Sequence, residues 1–224
     1  MNQSTAAASG ITAITEQISK ASKLADREAA DVDLIAISKT RSADEIRPLL
    51  REGHRSFGEN RVQEAQEKWP ALKEEFPDVR LHMVGQLQSN KAREAVQLFD
   101  SIHSLDRPSL VKALAKAMDQ EDRQLPCFVQ VNIGEEAQKG GCAISELSVL
   151  LDEAKKSNLL IEGLMCVPPA GVNAAPYFAL LAKLAKENRL SQLSMGMSAD
   201  FETAIKMGAT HIRVGTALFG ERQP

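Results

Sequence analysis

Apolar and polar positions along the chain keep switching between two rhythms. Short runs such as DLIAIS (33–38), CFVQVN (127–132) and IEGLMCV (161–167) read as strands, while the stretches between them repeat apolar residues at helical spacing. In this reading further strands cover 55–59, 80–84, 101–105, 193–197 and 211–215. The opening helix, 11–30, carries Ile11, Ile14, Ile18 and Ala21 on one face. The others span 43–52, stopped by Gly53; 61–68, halted near Trp69-Pro70; 89–98, capped by Ser89; and 108–118, begun by Pro108. Three more run over 145–156, from Pro176 to about 187, and from a Ser198 cap to Gly208. Eight strand–helix alternations call for a parallel sheet with right-handed crossovers, and eight strands close a barrel. The expected fold class is therefore α/β: a single (β/α)8 TIM-type barrel over 11–224 with an extra N-terminal helix, preceded by a disordered tail over 1–10. An open doubly wound sheet would want a GxGxxG turn after an early strand, and none is present.

Composition narrows the partners. With 224 residues, 43% of them hydrophobic, the chain can bury a large core, and a net charge of −3 offers no footprint for nucleic acid. Cys127, Cys142 and Cys166 lack CxxC spacing, which argues against a disulfide framework or a thiolate zinc site and for a reducing compartment. The first ten residues, MNQSTAAASG, carry neither the basic nor the apolar segment of a secretory signal, and no window is apolar enough for a membrane span. A cytoplasmic protein is expected.

Candidate chemistry gathers at strand ends. Lys39 closes the first strand, and in barrels the carboxyl ends of the strands are where ligands bind. Alone, a lysine leaving a strand reads as a solvated charge. The loops after strands seven and eight change that. LSMGMSAD presents Gly196 and the Ser198 hydroxyl, and RVGTALFG presents Gly215 and Thr216, where barrels often hold phosphate. Either loop alone is equally well a tight turn and an ordinary cap; both together favour phosphate. Arg213 shares a strand face with His211 and Gly215, and inside a barrel it needs an acceptor, either an ion-pair partner or a ligand ring nitrogen. His54, His82 and His103 show no metal-ligand spacing and read as helix-end or barrel-interior residues, so no metal site is expected. A lysine beside a phosphate site can capture an aldehyde as a Schiff base, which restricts the ligand to pyridoxal 5′-phosphate or a sugar phosphate.

The set IAISKT, FGENRVQE, HMVGQLQSNK, FVQVNIG, GLMCVPP, LSMGMSADFETAI and HIRVGTALFGER, in this order from about residue 30 to 222, resembles the pyridoxal phosphate homeostasis protein family. That family is similar to the barrel domain of alanine racemase, the fold-type III group. The resemblance implies that Lys39 forms the internal aldimine, that Asn60 lies beside the cofactor, that Ser198, Gly215 and Thr216 hold the phosphate, and that Arg213 faces the pyridine nitrogen. An arginine there disfavours ring protonation and weakens the ring as an electron sink. A racemase also uses a tyrosine base from a β-rich second domain; this sequence ends shortly after strand eight, and its tyrosine, Tyr177, falls on the helix after strand six. Departures from the commoner family wording at Ser42, Arg61 and 138–141 leave the lysine, arginine and phosphate loops in place and leave open a secondary role for Lys139.

The expected function is thus a non-catalytic carrier that buffers and delivers pyridoxal 5′-phosphate in intracellular homeostasis. Its expected partners are the cofactor and pyridoxal phosphate-dependent client enzymes, with the chain working as a monomer. A racemase-like enzyme acting on amino acids and a Schiff-base aldolase acting on a sugar phosphate are the alternatives.

Overall fold

The computed structural model describes residues 3–220. Eight parallel strands, β1 (Asp33–Ile37), β2 (Ser56–Glu59), β3 (Arg80–Met83), β4 (Ser101–Leu105), β5 (Cys127–Val131), β6 (Ile161–Cys166), β7 (Gln192–Met197) and β8 (His211–Val214), close into a barrel in chain order. The helices are α1 (Gln3–Lys23), α2 (Ala43–Arg51), α3 (Val62–Glu75), α4 (Ala92–Leu98), α5 (Pro108–Gln120), α6 (Leu147–Lys156), α7 (Ala175–Glu187), α8 (Phe201–Lys206) and α9 (Thr216–Phe219). The TIM-type α/β barrel expected from the alternation is the fold observed.

Strand alternation explains the two layers. Outward residues such as Leu34, Ala36, Phe57, Leu81, Val129 and Ile212 merge with the apolar faces of the helices into one core. Inward positions are partly polar: Asp33, Ser56, His82, His103, Ser194 and Arg213 share the interior with Ile35 and Phe128. Each buried Leu or Phe of the outer layer contributes roughly 1.5–3 kcal/mol, so the stability of the barrel comes from the outer layer and leaves the interior free for chemistry.

The N-terminal helix has a structural task. The helix after β8, α9, is a single turn, too short to cover the outward faces of β8 and β1. Helix α1 packs against α8, α9 and α2 and takes that place, seating Ile14, Ile18 and Ala21 in the core. Arg27, just past α1, ties it down by donating to the carbonyls of Ile205 (2.9 Å) and Ala209 (2.8 Å).

Four expectations need correction. Helix α1 starts at Gln3, so the backbone is helical over most of the stretch read as a disordered tail, where Ala6, Ala7 and Ala8 are strong helix formers. Helix α3 runs through Trp69-Pro70 to Glu75, because Trp69 and Leu72 are fully buried and their packing outweighs the hydrogen bond that proline removes. Ser89 is the first residue of a short 3-10 turn and makes no cap bond to α4. Ser198 does not cap α8; Asp200 holds that position.

Candidate functional site

Register brings the predicted residues to one end of the barrel. On β1 and β8, Ala36 pairs with Val214, so Lys39 and Gly215-Thr216 leave neighbouring strand ends together. On β7 and β8, Met197 pairs with Arg213, which places Ser198 beside them. On β1 and β2, Ile37 pairs with Gly58, and the same register carried two residues on sets Lys39 opposite Asn60. Ile35 and Ile37 point inward, since a Cβ on Gly58 would meet both side chains at 2.9 and 2.7 Å. The alternation continues to Lys39, which is half-buried at the mouth. Within the described residues its Nζ has no hydrogen bond or ion pair.

The turn that carries Lys39 is gripped from behind by α3. Glu59, fully buried on the outward face of β2, accepts through Oε1 from the Ser38 hydroxyl (2.6 Å) and Trp69 Nε1 (3.0 Å), and the same oxygen forms an ion pair with Lys68 Nζ (2.8 Å). Glu64 takes the N–H of Thr40 and an N–H of Lys68. Burial would raise the Glu64 carboxyl, but these hydrogen bonds outweigh it and hold it below the ordinary carboxylate value.

Arg213 is 5% exposed and is anchored by its two terminal nitrogens: Nη1 donates to Ser194 Oγ (2.7 Å) and Nη2 to the Cys166 carbonyl (2.8 Å). Its acceptors are a hydroxyl and a carbonyl, not the carboxylate of an ion pair. Two of its five N–H groups are thereby used, leaving others for a group inside the barrel. Beneath it a column of polar side chains descends the interior. Ser194 Oγ lies 2.9 Å from His103 Nδ1, His103 Nε2 lies 3.1 Å from His82 Nδ1, and His82 Nε2 lies 3.1 Å from Ser56 Oγ. The Ser56 hydroxyl donates to Asp33 Oδ2 at 3.0 Å.

Burial holds the histidines neutral: His82 is pushed down to about 4, His103 lies well below its ordinary value, and His211 is also lowered. Neutrality and the single Ser56 proton then fix the direction of every bond. Because Ser56 donates to Asp33, it accepts from His82 Nε2–H; His82 Nδ1 accepts from His103 Nε2–H; and His103 Nδ1 accepts from the Ser194 hydroxyl. The column therefore runs from the Arg213 cation to the Asp33 carboxylate with every donor pointing toward the carboxylate. It holds the guanidinium in place without a second charge beside it.

At the mouth, Gly196 has φ 94°, and a Cβ there would sit 2.5 Å from Ala204 Cβ, so loop seven can turn this way only with glycine. Asp200 Oδ1 accepts from the Met197 N–H (2.6 Å), while the Ser198 hydroxyl is exposed and makes no bond within the described residues. Gly215 lies against Ile37, 3.4 Å from where its Cβ would be, at the N-terminus of α9, where the Thr216 and Ala217 N–H groups have no partner among the described residues. A cavity of about 890 Å³ opens beside the mouth between the loops after β2 and β3, lined by Asn60, Arg61, Glu64, Gln86 and Lys91 among others. Lys39 and the two glycine loops lie off its wall; Asn60 is where cavity and mouth meet. The donor set, an unpaired amine, a braced guanidinium, a free hydroxyl and outward-facing N–H groups, fits a phosphorylated pyridine aldehyde.

All six residues singled out from the sequence stand at this end or just inside it. His82 and His103 are in the barrel interior, and His54 sits at the end of α2, its Nε2 2.7 Å from the Ser56 carbonyl, as read. Lys139 is already engaged, paired with Glu136 at 2.6 Å and donating to the Pro168 carbonyl at 3.0 Å. Tyr177 packs against the core from α7. Sequence reading missed Glu59, Glu64, Lys68 and Ser194. Two signals were available: a glutamate on the outward, core-facing side of a strand, and a Glu64–Lys68 pair at i, i+4.

The family model of the alanine racemase N-terminal domain matches residues 11–223. The pyridoxal phosphate homeostasis protein of Pseudomonas aeruginosa is 40% identical over 96% of this chain and 95% of its own length. Among solved structures, an unknown protein from Bifidobacterium adolescentis superposes with a TM-score of 0.91 at 28% identity, covering 96% of this chain and 95% of its own. PipY of Synechococcus elongatus, with pyridoxal phosphate bound, superposes with a TM-score of 0.79 at 38% identity, covering 92% of this chain and 100% of its own.

Proposed function

This chain belongs to the pyridoxal phosphate homeostasis protein family, and from that premise we propose that it holds pyridoxal 5′-phosphate as a reversible Schiff base on Lys39 for intracellular buffering and delivery. The observation that carries the reading is the convergence, by strand register, of Lys39, Ser198 and Gly215-Thr216 at one barrel end above the buried Arg213. When bound, the cofactor supplies an aldehyde carbon, a ring nitrogen and a phosphate. Lys39 supplies the amine, exchanging a carbonyl oxygen for nitrogen with loss of water, and hydrolysis reverses the step. Thr216 and Ala217 N–H groups and the Ser198 hydroxyl take the phosphate, and Asn60 borders the ring.

Arg213 donates toward the ring nitrogen and, being a fixed cation, keeps a proton off it. That leaves the ring a weak sink for a carbanion, and Tyr177, partly buried, packs against the core from α7, so binding rather than turnover is the better-supported role. The same reading has one domain over 11–224, acting as a monomer, with apo forms of pyridoxal phosphate-dependent enzymes as recipients. A cytoplasmic setting suits three buried free thiols, and no helix among the described residues is long and apolar enough to cross a membrane. Absorbance of the purified protein before and after adding pyridoxal 5′-phosphate tests the proposal. A visible band should grow in the native protein and be absent in Lys39→Ala; a protein that cannot be loaded would refute it.

A further inference from the structure

The turn Ser38–Arg41 is held from outside at four backbone groups: the Ser38 N–H and carbonyl, the Thr40 N–H and the Arg41 carbonyl. The Ser38 N–H donates to the Gly58 carbonyl (3.0 Å), and the Arg41 N–H closes the turn on the Ser38 carbonyl (3.0 Å). Lys68 Nζ, on α3 and nearly buried, donates to the two carbonyls that flank the Lys39-Thr40 pair, Ser38 O at 2.8 Å and Arg41 O at 3.0 Å. The same ammonium meets Glu59 Oε1 and Glu64 Oε1, both at 2.8 Å. Glu64 in turn accepts the Thr40 N–H. Thr40 sits at φ 63°, a left-handed conformation that a β-branched residue keeps only where its surroundings over-determine it.

Burying an ammonium and a carboxylate to brace one surface turn is costly for stability alone, since a well-packed apolar pair would serve α3 as well or better. What Lys68 does that an apolar residue cannot is to fix the carbonyls of Ser38 and Arg41 on either side of Lys39, while its partner Glu64 fixes the Thr40 N–H. Glu59 and Lys68 lie on the outer face of the barrel wall, so they reach Lys39 through its backbone and never touch a ligand at the mouth.

Resting on the reading of Lys39 as the carbonyl-capturing amine, we propose that Lys68, with Glu64 and Glu59, is a positioning residue that sets the trajectory of the Lys39 amine toward an aldehyde held at the mouth. The amine must approach a carbonyl carbon whose ring and phosphate are fixed by other elements, so the geometry of the turn controls the rate of capture. Misplacement by about 1 Å in such a step can cost on the order of 100-fold.

The experiment compares Lys68→Met, Lys68→Arg and Glu64→Ala with the unmodified protein, using two ligands. One is pyridoxal 5′-phosphate; the other is 4-deoxypyridoxine 5′-phosphate, which has a methyl group in place of the aldehyde. The rate of capture is followed by stopped-flow absorbance and by mass spectrometry after borohydride reduction, and both dissociation constants are measured. Glu64→Ala leaves the Glu59–Lys68 pair intact and decides the matter if Lys68→Met does not fold. The expected result is capture slowed about 10-fold or more in Lys68→Met and Glu64→Ala, partly restored in Lys68→Arg, with affinity for the deoxy ligand changed less than about 2-fold. Unchanged capture rates, or equal weakening of both ligands, would overturn the positioning role alone. If borohydride fixes no adduct on Lys39 in the unmodified protein, the reading beneath it falls as well.

Discussion

The polar column inside the barrel makes stability depend on pH in a window that carboxylates do not share. His82 is fully buried, and loss of hydration pushes it from its ordinary 6.5 down to about 4, with the Asp33 carboxylate opposing and His211 and Arg80 adding to the fall. His54, His103 and His211 are lowered for the same first reason, with Arg213 among the charges that face the last two. In the unfolded chain each histidine takes a proton near its ordinary value, whereas the folded chain refuses it. Below pH 6.5 the unfolded state therefore binds more protons, and stability falls with pH until the folded value is reached. For His82 that is a span of roughly 2.5 pH units, or on the order of 3 kcal/mol lost between pH 6.5 and 4, and full stability above 6.5.

Glu45, Glu64 and Glu94 are lowered from 4.5, so their contribution is lost only below that pH and does not mask the histidines. Urea unfolding at half-unit steps from pH 7 to 5 should show stability dropping by about 1.4 kcal/mol per unit for each histidine involved. His82→Gln and His103→Gln, measured separately, should each lower that slope by about one proton. A flat profile from pH 6.5 to 5, or one that neither variant changes, would show that the column is not the neutral chain described.

Other outcomes follow from single sites. Lys39→Ala should abolish borohydride-fixed adducts while still binding 4-deoxypyridoxine 5′-phosphate, as isothermal titration would show, because the loops proposed to hold the phosphate follow β7 and β8. Gly196→Ala should cost at least about 2 kcal/mol in urea unfolding, combining an unfavourable φ with a Cβ pressed against Ala204. The three cysteine thiols are buried and pushed up to about 12 by desolvation, so a thiol reagent at pH 8 should label none until the chain is unfolded.

Much of this molecule is local and therefore legible in its sequence. Strand runs broken by helical stretches encode the barrel because each βα unit is specified by residues near one another. Lys39, Arg213 and the glycine loops could be placed for the same reason, since a strand's end and its face follow from counting. Other features arise only when distant segments meet. Glu59 looked like any strand-end carboxylate until the packing of α3 enclosed it with Lys68 and Trp69. The passage of α3 through Pro70 depends on packing energy that outweighs local propensity. The direction of the histidine column needs Asp33, Ser56, His82, His103, Ser194 and Arg213 in one line, and these come from β1, β2, β3, β4, β7 and β8. Sequence determined that a lysine stands at the mouth of a barrel; the tertiary structure decided what holds it there, because burial and charge pairing are properties of neighbours in space.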